Sequence, residues 1–513
     1  MAVGTRGDVQ PFIALGRRLQ AYGHRVRVAS HSVYREFVLA SGLEFYPLGG
    51  DPKVICEFVV RNRGVLPIKM SDVAENRKQL REIIYSTYGA CICPDPQGDG
   101  REFMAEALIA NPPCYGHIHC AEKLGIPLHM VFTMPWTPTK DFLNPLARIT
   151  DGMVSRLEHL TQVLPKQSAT GWRKFIRDGV SWLSFVAMED IVFLGMKDIV
   201  DQFRKEVLGL NALPNTQDTR HLLCTRQVPF MYCWSPSLIR KPSDWGQHID
   251  VVGFFFLNQA RLFQYQPSPE LAEFLQAGLP PVYIGFGSMM VGNAKELTKI
   301  IFDAVAKAGV RALLSKGWSN LGQGFELPEA IMLLDDCPHD WLFPRCSAVV
   351  HHGGAGTTAA GLLAGCPTFI TPFFGDQPFW ADACHRAGVG PHPVYITDLT
   401  TDKLANAFAC MSLPKVKQKA KAISERMQQE DGLGSAVESF HKNLPLDAIL
   451  EKKKMIWNLC GGKVRFEGPD DAPPVVDALS PQAAGMWYWL FGWMCCSPIR
   501  RHKRNGTRGA TGW

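Results

Sequence analysis

Residues 349–358, with the sequence VVHHGGAGTT, decide the fold of this chain. The two valines end a short apolar run typical of a buried strand, and the glycine-rich turn after them opens a helix. Because the first turn of a helix carries unpaired N–H groups and a partial positive charge, a turn with little side-chain bulk favours phosphate binding there. Small residues also suit tight packing of helix on strand, so the glycines alone leave both interpretations open.

Polar side chains stand at this turn and further along the same unit. His351, His352 and Thr357 add donors at the turn. Beyond the next strand, Asp376 stands beside Gln377, and a carboxylate next to an amide suits sugar hydroxyls. The unit therefore predicts a phosphate site and a sugar site side by side.

The block 338–380 resembles the nucleotide-sugar box of GT-B glycosyltransferases, in the branch that contains the UDP-glucose:sterol 3-β-glucosyltransferases and bacterial antibiotic glucosyltransferases. This resemblance implies an α/β protein with two Rossmann-like, doubly wound domains that face a central cleft. It also implies UDP-glucose as the donor and no metal or other cofactor. The donor contacts that it implies are Ser288, Cys337, His339, His352, Gly354, Ala355, Gly356, Thr357, Asp376 and Gln377.

Residues 5–11, TRGDVQP, form a loop that precedes an amphipathic run and a strand. They resemble the (S/T)RGDVQP signature of the same branch. A carboxylate on a loop at the edge of a sheet can act as a general base, which is the role favoured for Asp8. The alternative is that Asp8 caps a helix beginning near Pro11. Thr5 and Arg6 of the motif are assigned to donor binding.

The strand before this loop is short. Only residues 1–3 precede it, where a strand usually has about five or six residues. We therefore expect a truncated first strand that lacks most of its pairing. The start of the chain lacks the apolar core of a signal peptide, and we expect no stretch with the ~20 apolar residues of a membrane span.

Acceptor candidates follow later strands of the first half. Residues 132–139, FTMPWTPT, resemble a loop that lies near the acceptor in relatives, which makes Trp136 a candidate. His117 and His119 follow the strand at 108–110 and are candidates for the cleft, the alternative being core or capping histidines. The aromatic residues of the helical stretch 146–208 predict a packed stripe or a lipid-facing entrance for the acceptor.

In the second half, predicted strands again alternate with predicted helices. Strands are predicted at 281–289, 312–315, 331–334 and 394–396, with a helix at 294–308 and one long helix from Lys415 to Phe440. The resemblance implies that the turn 335–343 holds uracil. In relatives the terminal helix crosses back to the first domain.

This organisation gives four segments. They are an acceptor-binding domain at 1–257, a linker at 258–280, a UDP-sugar-binding domain at 281–443 and a tail at 444–513. The tail contains an apolar, tryptophan-dense and then basic stretch at 483–508. This stretch suits an anionic membrane surface, and Cys495 and Cys496 could carry acyl chains. The alternative is a tail that packs on its own protein.

Composition limits the class of protein. The chain has 513 residues, of which 46% are hydrophobic and 20% charged, as in globular proteins of two domains. Five positive charges lie within the last fourteen residues, so the body lacks the basic surface of a nucleic-acid binder despite a net charge of +6. The fifteen cysteines show no zinc spacing and favour a reducing compartment, that is, the cytoplasm.

The sequence thus predicts an inverting transfer of glucose from UDP-glucose to the hydroxyl of a sterol or similar lipophilic alcohol. One alternative is a catalytically inactive GT-B protein that binds lipid at a membrane surface. The other is a glucosyltransferase that acts on a different small lipophilic acceptor.

Overall fold

The computed structural model describes residues 1–62, 69–147, 149, 151–159 and 166–445. The predicted tail and its stretch 483–508, with Cys495 and Cys496, lie outside the described residues. The strands are β1 (Arg27–His31), β2 (Glu44–Leu48), β3 (Leu108–Ala110), β4 (Leu128–Phe132), β5 (Phe230–Tyr232), β6 (Ile249–Val251), β7 (Val282–Gly285), β8 (Ala312–Ser315), β9 (Ile331–Leu334), β10 (Ala348–His351) and β11 (Thr368–Ile370).

Helices connect and cover these strands. They are α1 (Arg6–Ala21), α2 (Arg35–Ala40), α3 (Pro52–Arg61), α4 (Met70–Ile92), α5 (His117–Leu124), α6 (Asp151–His159), α7 (Lys166–Phe203), α8 (Gln217–Arg220), α9 (Leu222–Thr225), α10 (Gln259–Leu262), α11 (Pro269–Gln276), α12 (Ala294–Ala308), α13 (His339–Leu342), α14 (Ala355–Leu363), α15 (Gln377–Ala387), α16 (Thr401–Ser412), α17 (Pro414–Met427) and α18 (Gly432–Lys442).

The second half contains a five-stranded parallel sheet in the order β11-β10-β7-β8-β9. Every residue of β7 and β10 is buried, as expected for strands covered by helices on both faces. The chain order reverses between β7 and β10, where His351 lies opposite Gly285. In a doubly wound sheet, ligands bind at the carboxyl ends of the strands at such a reversal.

The first half contains a four-stranded parallel sheet, β3-β4-β5-β6, and a parallel pair, β1-β2. Residues 1–3 lie between them. The Ala2 amide donates to the Ala29 carbonyl (2.9 Å), and the Asn111 amide donates to the Met1 carbonyl (3.1 Å). The short first segment therefore pairs on both sides, and the expectation that it lacks most of its pairing is wrong. The loop after it lies at the carboxyl edge of the sheet.

The helix α18 belongs to the core of the first half. Ala436, Val437 and Phe440 pack in one buried cluster with Ile13 and Leu15 of α1. The chain therefore crosses back to its first domain at its described end.

Four predicted elements differ from those observed. The strand predicted at 281–289 is β7, which ends at Gly285. The long helix at 415–440 is two helices, because the Asp431 side chain accepts a hydrogen bond from the Gly434 amide (2.9 Å) and caps α18. No strand forms at 394–396, since Pro391 and Pro393 cannot donate to a sheet. The first helix begins at Arg6 rather than near Pro11.

The expectation that no stretch is apolar enough for a membrane span is also wrong. Among the described helices, the stretch Trp172–Leu208, which is most of α7 and the π-helical turn Arg204–Leu208 after it, has the length and composition of a span, and only 28% of its most apolar part is buried. Length and composition alone do not separate a span from a helix whose apolar face lies at a surface.

Candidate active site

The turn after β10 has the predicted strand–turn–helix form. Gly354 caps α14, and Gly353 has a φ of 95°, a conformation that side chains rarely adopt. A Cβ at Gly353 would lie 2.6 Å from Ile370 Cγ2. The N-terminus of α14, from Gly354 to Thr357, therefore faces the reversal point of the sheet with little bulk around it.

The two histidines of the turn have different roles. His351 is fully buried, and its Nδ1 accepts the Gly353 amide (2.9 Å), so it holds the turn. His352 is half-buried, and a Cβ on Gly354 would lie 2.6 Å from its Nε2. Burial, and then the nearby His339, lower the pKa of His352 to about 4. His352 is therefore neutral at pH 7 and able to donate one hydrogen bond.

A second turn lies beside the first one. It follows β7, the neighbour of β10, and includes Gly287 and the half-buried Ser288. Gly287 has a φ of 57°, and a Cβ there would be 3.6 Å from His352 Cε1. The amides of α14, His352 and Ser288 thus line one concave edge, which suits a diphosphate.

The predicted base-binding turn lies at the carboxyl end of β9. The His339 ring stacks on Phe343 with 4.3 Å between ring centroids, and its Nε2 is 3.4 Å from the Tyr283 hydroxyl. Burial lowers the pKa of His339 to about 4. Cys337 is buried, and Pro338 precedes α13. The contact of Cys337 with a base stays a prediction.

Asp376 and Gln377 are held differently. The Trp380 indole Nε1 donates to Asp376 Oδ2 (2.8 Å). The Gln377 side chain is buried; its Oε1 accepts the amides of Phe373 (2.7 Å) and Phe374 (3.2 Å). In this structure Gln377 shapes the loop that carries Asp376, rather than offering its oxygen to a sugar as the sequence predicted.

Asp8 lies in the first turn of α1. The Thr5 amide (2.8 Å) and hydroxyl (3.1 Å) both donate to its Oδ2, so Asp8 belongs to a capping box with Thr5 at the start of α1, rather than capping a helix that begins near Pro11. A Cβ on Gly4 would lie 2.3 Å from the same oxygen, which is why only glycine fits there. Capping occupies Oδ2 and does not conflict with base catalysis through the other oxygen.

Asp8 and Asp376 both have raised pKa values. Burial raises the pKa of Asp8. Burial also raises the pKa of Asp376, to about 6, and the charge of Asp8 contributes to that rise. Two carboxyl groups from opposite halves of the chain are therefore close enough to influence each other.

Thr5 and Arg6 lie beside Asp8 but contact protein groups. Thr5 is occupied with Asp8, as described above. Arg6 bridges the halves: its guanidinium donates to Asp336 (2.9 Å) and to Gln259 (2.9 Å), and it lies 4.9 Å from the centre of the Phe37 ring. Arg6 thus connects the loop of Asp8 to the base-binding turn, and its predicted direct contact with the donor is not required by this geometry.

We expect Arg6→Ala to raise KM for the nucleotide donor by about two- to fivefold, because an exposed ion pair contributes up to about 1 kcal/mol. Steady-state kinetics with varied donor measure this. Arg25→Ala is the matched control, since it removes the exposed Arg25–Glu44 ion pair (2.7 Å) within the first half. An equal rise of KM in both variants would contradict the bridging role.

The histidine candidates for the acceptor do not line the cleft. His117 and His119 are 4% and 3% exposed, so the alternative of core histidines is the correct one. His119 Nδ1 contacts Arg204 Nη1 (3.0 Å), and this arginine also pairs with Glu122 (2.7 Å). An apolar helix face buries its histidines as readily as its aliphatic residues, which the sequence pattern could not distinguish from a cleft.

Trp136 is half-buried, as an acceptor contact requires. Its amide is held by the Tyr232 hydroxyl (3.2 Å), and its ring packs on Phe132 (5.8 Å between centroids). Sequence reasoning missed Asn111, whose side chain accepts from the Val3 amide (3.0 Å) and donates to its carbonyl (2.7 Å). An asparagine followed by two prolines at the end of a strand was the available signal.

The acidic limb of a pH–rate profile should depend on Trp380. Its indole hydrogen bond favours the charged form of Asp376, so Trp380→Phe should move the limb upward from about pH 6 by about one unit. The measurement is kcat/KM against pH. Trp245→Phe is the control, because that indole donates to the Pro138 carbonyl (3.1 Å) in the same aromatic cluster. Equal limbs in the two variants would refute the assignment.

The same shift has a consequence for stability. The folded pKa of Asp376, about 6, lies above its ordinary value of 3.8. Its favourable contribution to folding is therefore complete below about pH 4 and is lost as the pH rises through 6. Ionisation of Asp376 at neutral pH thus costs folding free energy.

Two family models match this chain. Residues 1–143 match the glycosyltransferase family 28 N-terminal domain, and residues 309–432 match the erythromycin biosynthesis protein CIII-like C-terminal domain. The matches fall in the first and second halves of the fold described above.

Curated relatives are similar over most of this chain. It is 48% identical over 445 residues to the sterol 3-beta-glucosyltransferase UGT80A2 of Arabidopsis thaliana, covering 87% of this chain and 65% of that protein. It is 42% identical over 500 residues to UGT80B1 of the same plant, covering 97% and 73%. The sterol 3-beta-glucosyltransferase of Yarrowia lipolytica is 34% identical over 468 residues, which are 88% of this chain and 29% of that protein.

Solved structures share the fold. The glycotransferase of kitacinnamycin superposes with a TM-score of 0.56 at 17% identity, covering 86% of this chain and 98% of that one. The glycosyltransferase VinC, solved in complex with DTDP, gives a TM-score of 0.52 at 17% identity, covering 86% and 97%. At this identity the likeness shows the GT-B fold, as predicted.

Proposed function

The chain belongs to the sterol 3-beta-glucosyltransferase family of GT-B glycosyltransferases, and on this premise we propose that it transfers glucose from UDP-glucose to the hydroxyl of a sterol, with inversion. The chain spans 65% and 73% of the length of its two plant relatives, so the activity of the whole protein is part of this proposal. The observation that carries it is the contact of the loop of Asp8 with the second half, where the Arg6 guanidinium donates to Asp336 of the base-binding turn (2.9 Å).

In the proposed reaction, Asp8 accepts the proton of the sterol hydroxyl. The hydroxyl oxygen forms a bond to the anomeric carbon, and the bond from that carbon to the UDP oxygen breaks on the opposite face. The electron pair of this bond leaves with UDP. The product is a β-glucoside.

The leaving diphosphate is stabilised by groups that are already in place. The amides from Gly354 to Thr357 point at it from the positive end of α14, and His352 and Ser288 add hydrogen bonds. Asp376 accepts hydrogen bonds from the glucose hydroxyls. We propose that these groups suffice without a divalent cation, so transfer should persist in EDTA.

The acceptor side is proposed to lie in the first half, beside Trp136. A flat apolar alcohol needs an apolar wall, and the half-buried tryptophan, packed on Phe132 at the end of β4, offers one. Lipophilic alcohols other than sterols could meet the same wall.

The test is incubation of the full chain with labelled UDP-glucose and a lipid extract containing sterols, with and without EDTA, followed by mass identification of the product. A steryl β-glucoside in both samples is expected. A glucoside of another lipid would change the acceptor class, and binding of sterol without any product would favour the inactive lipid-binding protein.

We propose further that the protein works on the cytosolic face of a membrane as a peripheral protein. The twelve cysteines of the described residues are free thiols, which suits a reducing compartment. The helix α7 exposes Trp172 (50%), Phe175 (69%) and Trp182 (40%) on one face. It contacts the segment that follows residues 132–139, where the Asn144 amide donates to Ser184 Oγ (2.9 Å). Such a face suits the boundary between headgroups and acyl chains.

Replacing Trp172, Phe175 and Trp182 by serine should weaken binding to anionic phospholipid vesicles by about tenfold or more, because each aromatic side chain loses apolar burial. Vesicle co-sedimentation measures the effect. The control replaces Met104 and Leu279, which are 56% and 81% exposed outside α7, by serine. Unchanged binding in the triple variant would exclude α7 as the docking face.

A further inference from the structure

A cavity of about 350 Å³ lies where the chain crosses between the two halves. We call it the hinge cavity. Phe142, Leu238 and Ile239 line it from the first half, and Phe379 of α15 and Ile423 of α17 line it from the second. The crossing is marked by the hydrogen bond from Ser235 Oγ to Glu430 Oε1 (2.8 Å).

The hinge cavity is separate from the proposed active site. Asp8, His352 and Asp376 are not among its lining residues. The fully buried Trp380 packs between Trp234 and Phe254 with ring centroids about 6 Å apart (6.0 and 6.1 Å), and these three rings belong to the core rather than to the cavity lining.

The walls of the hinge cavity are apolar, whereas two cationic side chains stand at its edge. Arg386 and Arg426 both line it and are exposed. The carboxylate paired with Arg386 is Asp382, one helical turn away at 3.7 Å and itself 42% exposed. For Arg426 no ion pair is seen with any residue that the structure describes. The rim therefore carries positive charge that the protein neutralises only weakly.

An apolar chamber with a basic rim fits a ligand with an apolar chain and an anionic head. The volume lies at the lower end of the range for small-molecule sites, about 300–1,000 Å³, so one chain fits better than two. Guanidinium groups bind carboxylates through charge-assisted hydrogen bonds.

We propose that the hinge cavity binds a single-chain amphiphile with a carboxylate head, of the fatty acid class. The carboxylate contacts Arg386 and Arg426, and the chain lies against Phe142 and Phe379, whose rings pack on each other with 5.2 Å between centroids. Because the walls come from both halves, the bound ligand holds the halves together. The ligand would contact Phe379 of α15. The next residue, Trp380, donates a hydrogen bond to Asp376 (2.8 Å), so α15 connects the hinge cavity to the loop proposed to bind the sugar.

The experiment is isothermal titration of the full chain with laurate below its micelle concentration. Saturable binding of one laurate per chain is expected, and dodecyltrimethylammonium, with an equal chain and opposite charge, should bind at least about tenfold more weakly. The Arg386→Ala/Arg426→Ala variant should lose about tenfold or more in laurate affinity. Lys417→Ala, which removes one exposed charge of α17 outside the cavity, should bind as the unaltered chain does.

A second variant tests the cavity itself. Ala383 is buried in its lining, so Ala383→Leu fills space that the chain would occupy and should also weaken laurate by about tenfold. Its thermal unfolding is measured alongside. The proposal would be overturned if laurate did not bind or if dodecyltrimethylammonium bound as tightly as laurate. It would also be overturned if the double arginine variant bound laurate as tightly as the unaltered chain does. Because these are binding readouts, their failure is distinguishable from a failure of glucosyl transfer.

Discussion

Asp8→Asn is expected to lower kcat for glucosyl transfer by about 100-fold or more, with little change in KM for UDP-glucose. Asparagine cannot accept the proton of the attacking hydroxyl at neutral pH. Its side-chain oxygen can still accept the Thr5 amide, which is 2.8 Å from Asp8 Oδ2, so the first turn of α1 should persist. Steady-state kinetics with both substrates varied separate the two parameters.

Thermal unfolding provides the control for Asp8→Asn. Burial raises the pKa of Asp8, so the ionised carboxylate opposes folding, and its contribution to stability is lost as the pH rises through the folded pKa. The variant should therefore unfold at the same or a higher temperature than the unaltered chain at pH 7. Near-full turnover in a folded Asp8→Asn protein would remove Asp8 from the role of base. The buried His117 and His119 are poorly placed to replace it.

His352→Ala is expected to lower kcat/KM for UDP-glucose by about 100-fold, the scale on which one donor to a developing anion contributes. The imidazole is neutral when the site is empty, because burial lowers its pKa to about 4. A neutral ring donates one hydrogen bond to the diphosphate, and the approaching negative charge raises its pKa and strengthens that bond. Binding of UDP should weaken in the same direction.

Two further variants make the His352 result specific. His385→Ala removes an exposed histidine of α15 and should leave the kinetics unchanged. Gly354→Ala should give an intermediate loss, because its Cβ would come within 2.6 Å of His352 Nε2 and force the ring to move. Unchanged donor kinetics in His352→Ala would refute the assignment of this histidine to the diphosphate.

The sequence by itself determined the helices, strands and turns whose formation depends on residues adjacent in the chain. The apolar run of β10, the glycines after it and the helix α14 follow from local backbone preferences, and the structure has all three. The same holds for α12, whose predicted bounds, 294–308, are those observed. The two-domain GT-B fold followed from motifs that lie within such local units.

Only the tertiary structure decided which side chains reach the cleft. Arg6 meets Asp336 across 330 positions of sequence, and the Gln377 oxygen turns inward to two amides of its own loop. His117 and His119 are buried because other helices cover them. Each outcome depends on how separate elements pack. Local propensity carries no information about packing between residues that are far apart in the chain. The contact of the Asp8 loop with the second half, on which the proposed reaction rests, is a property of that packing alone.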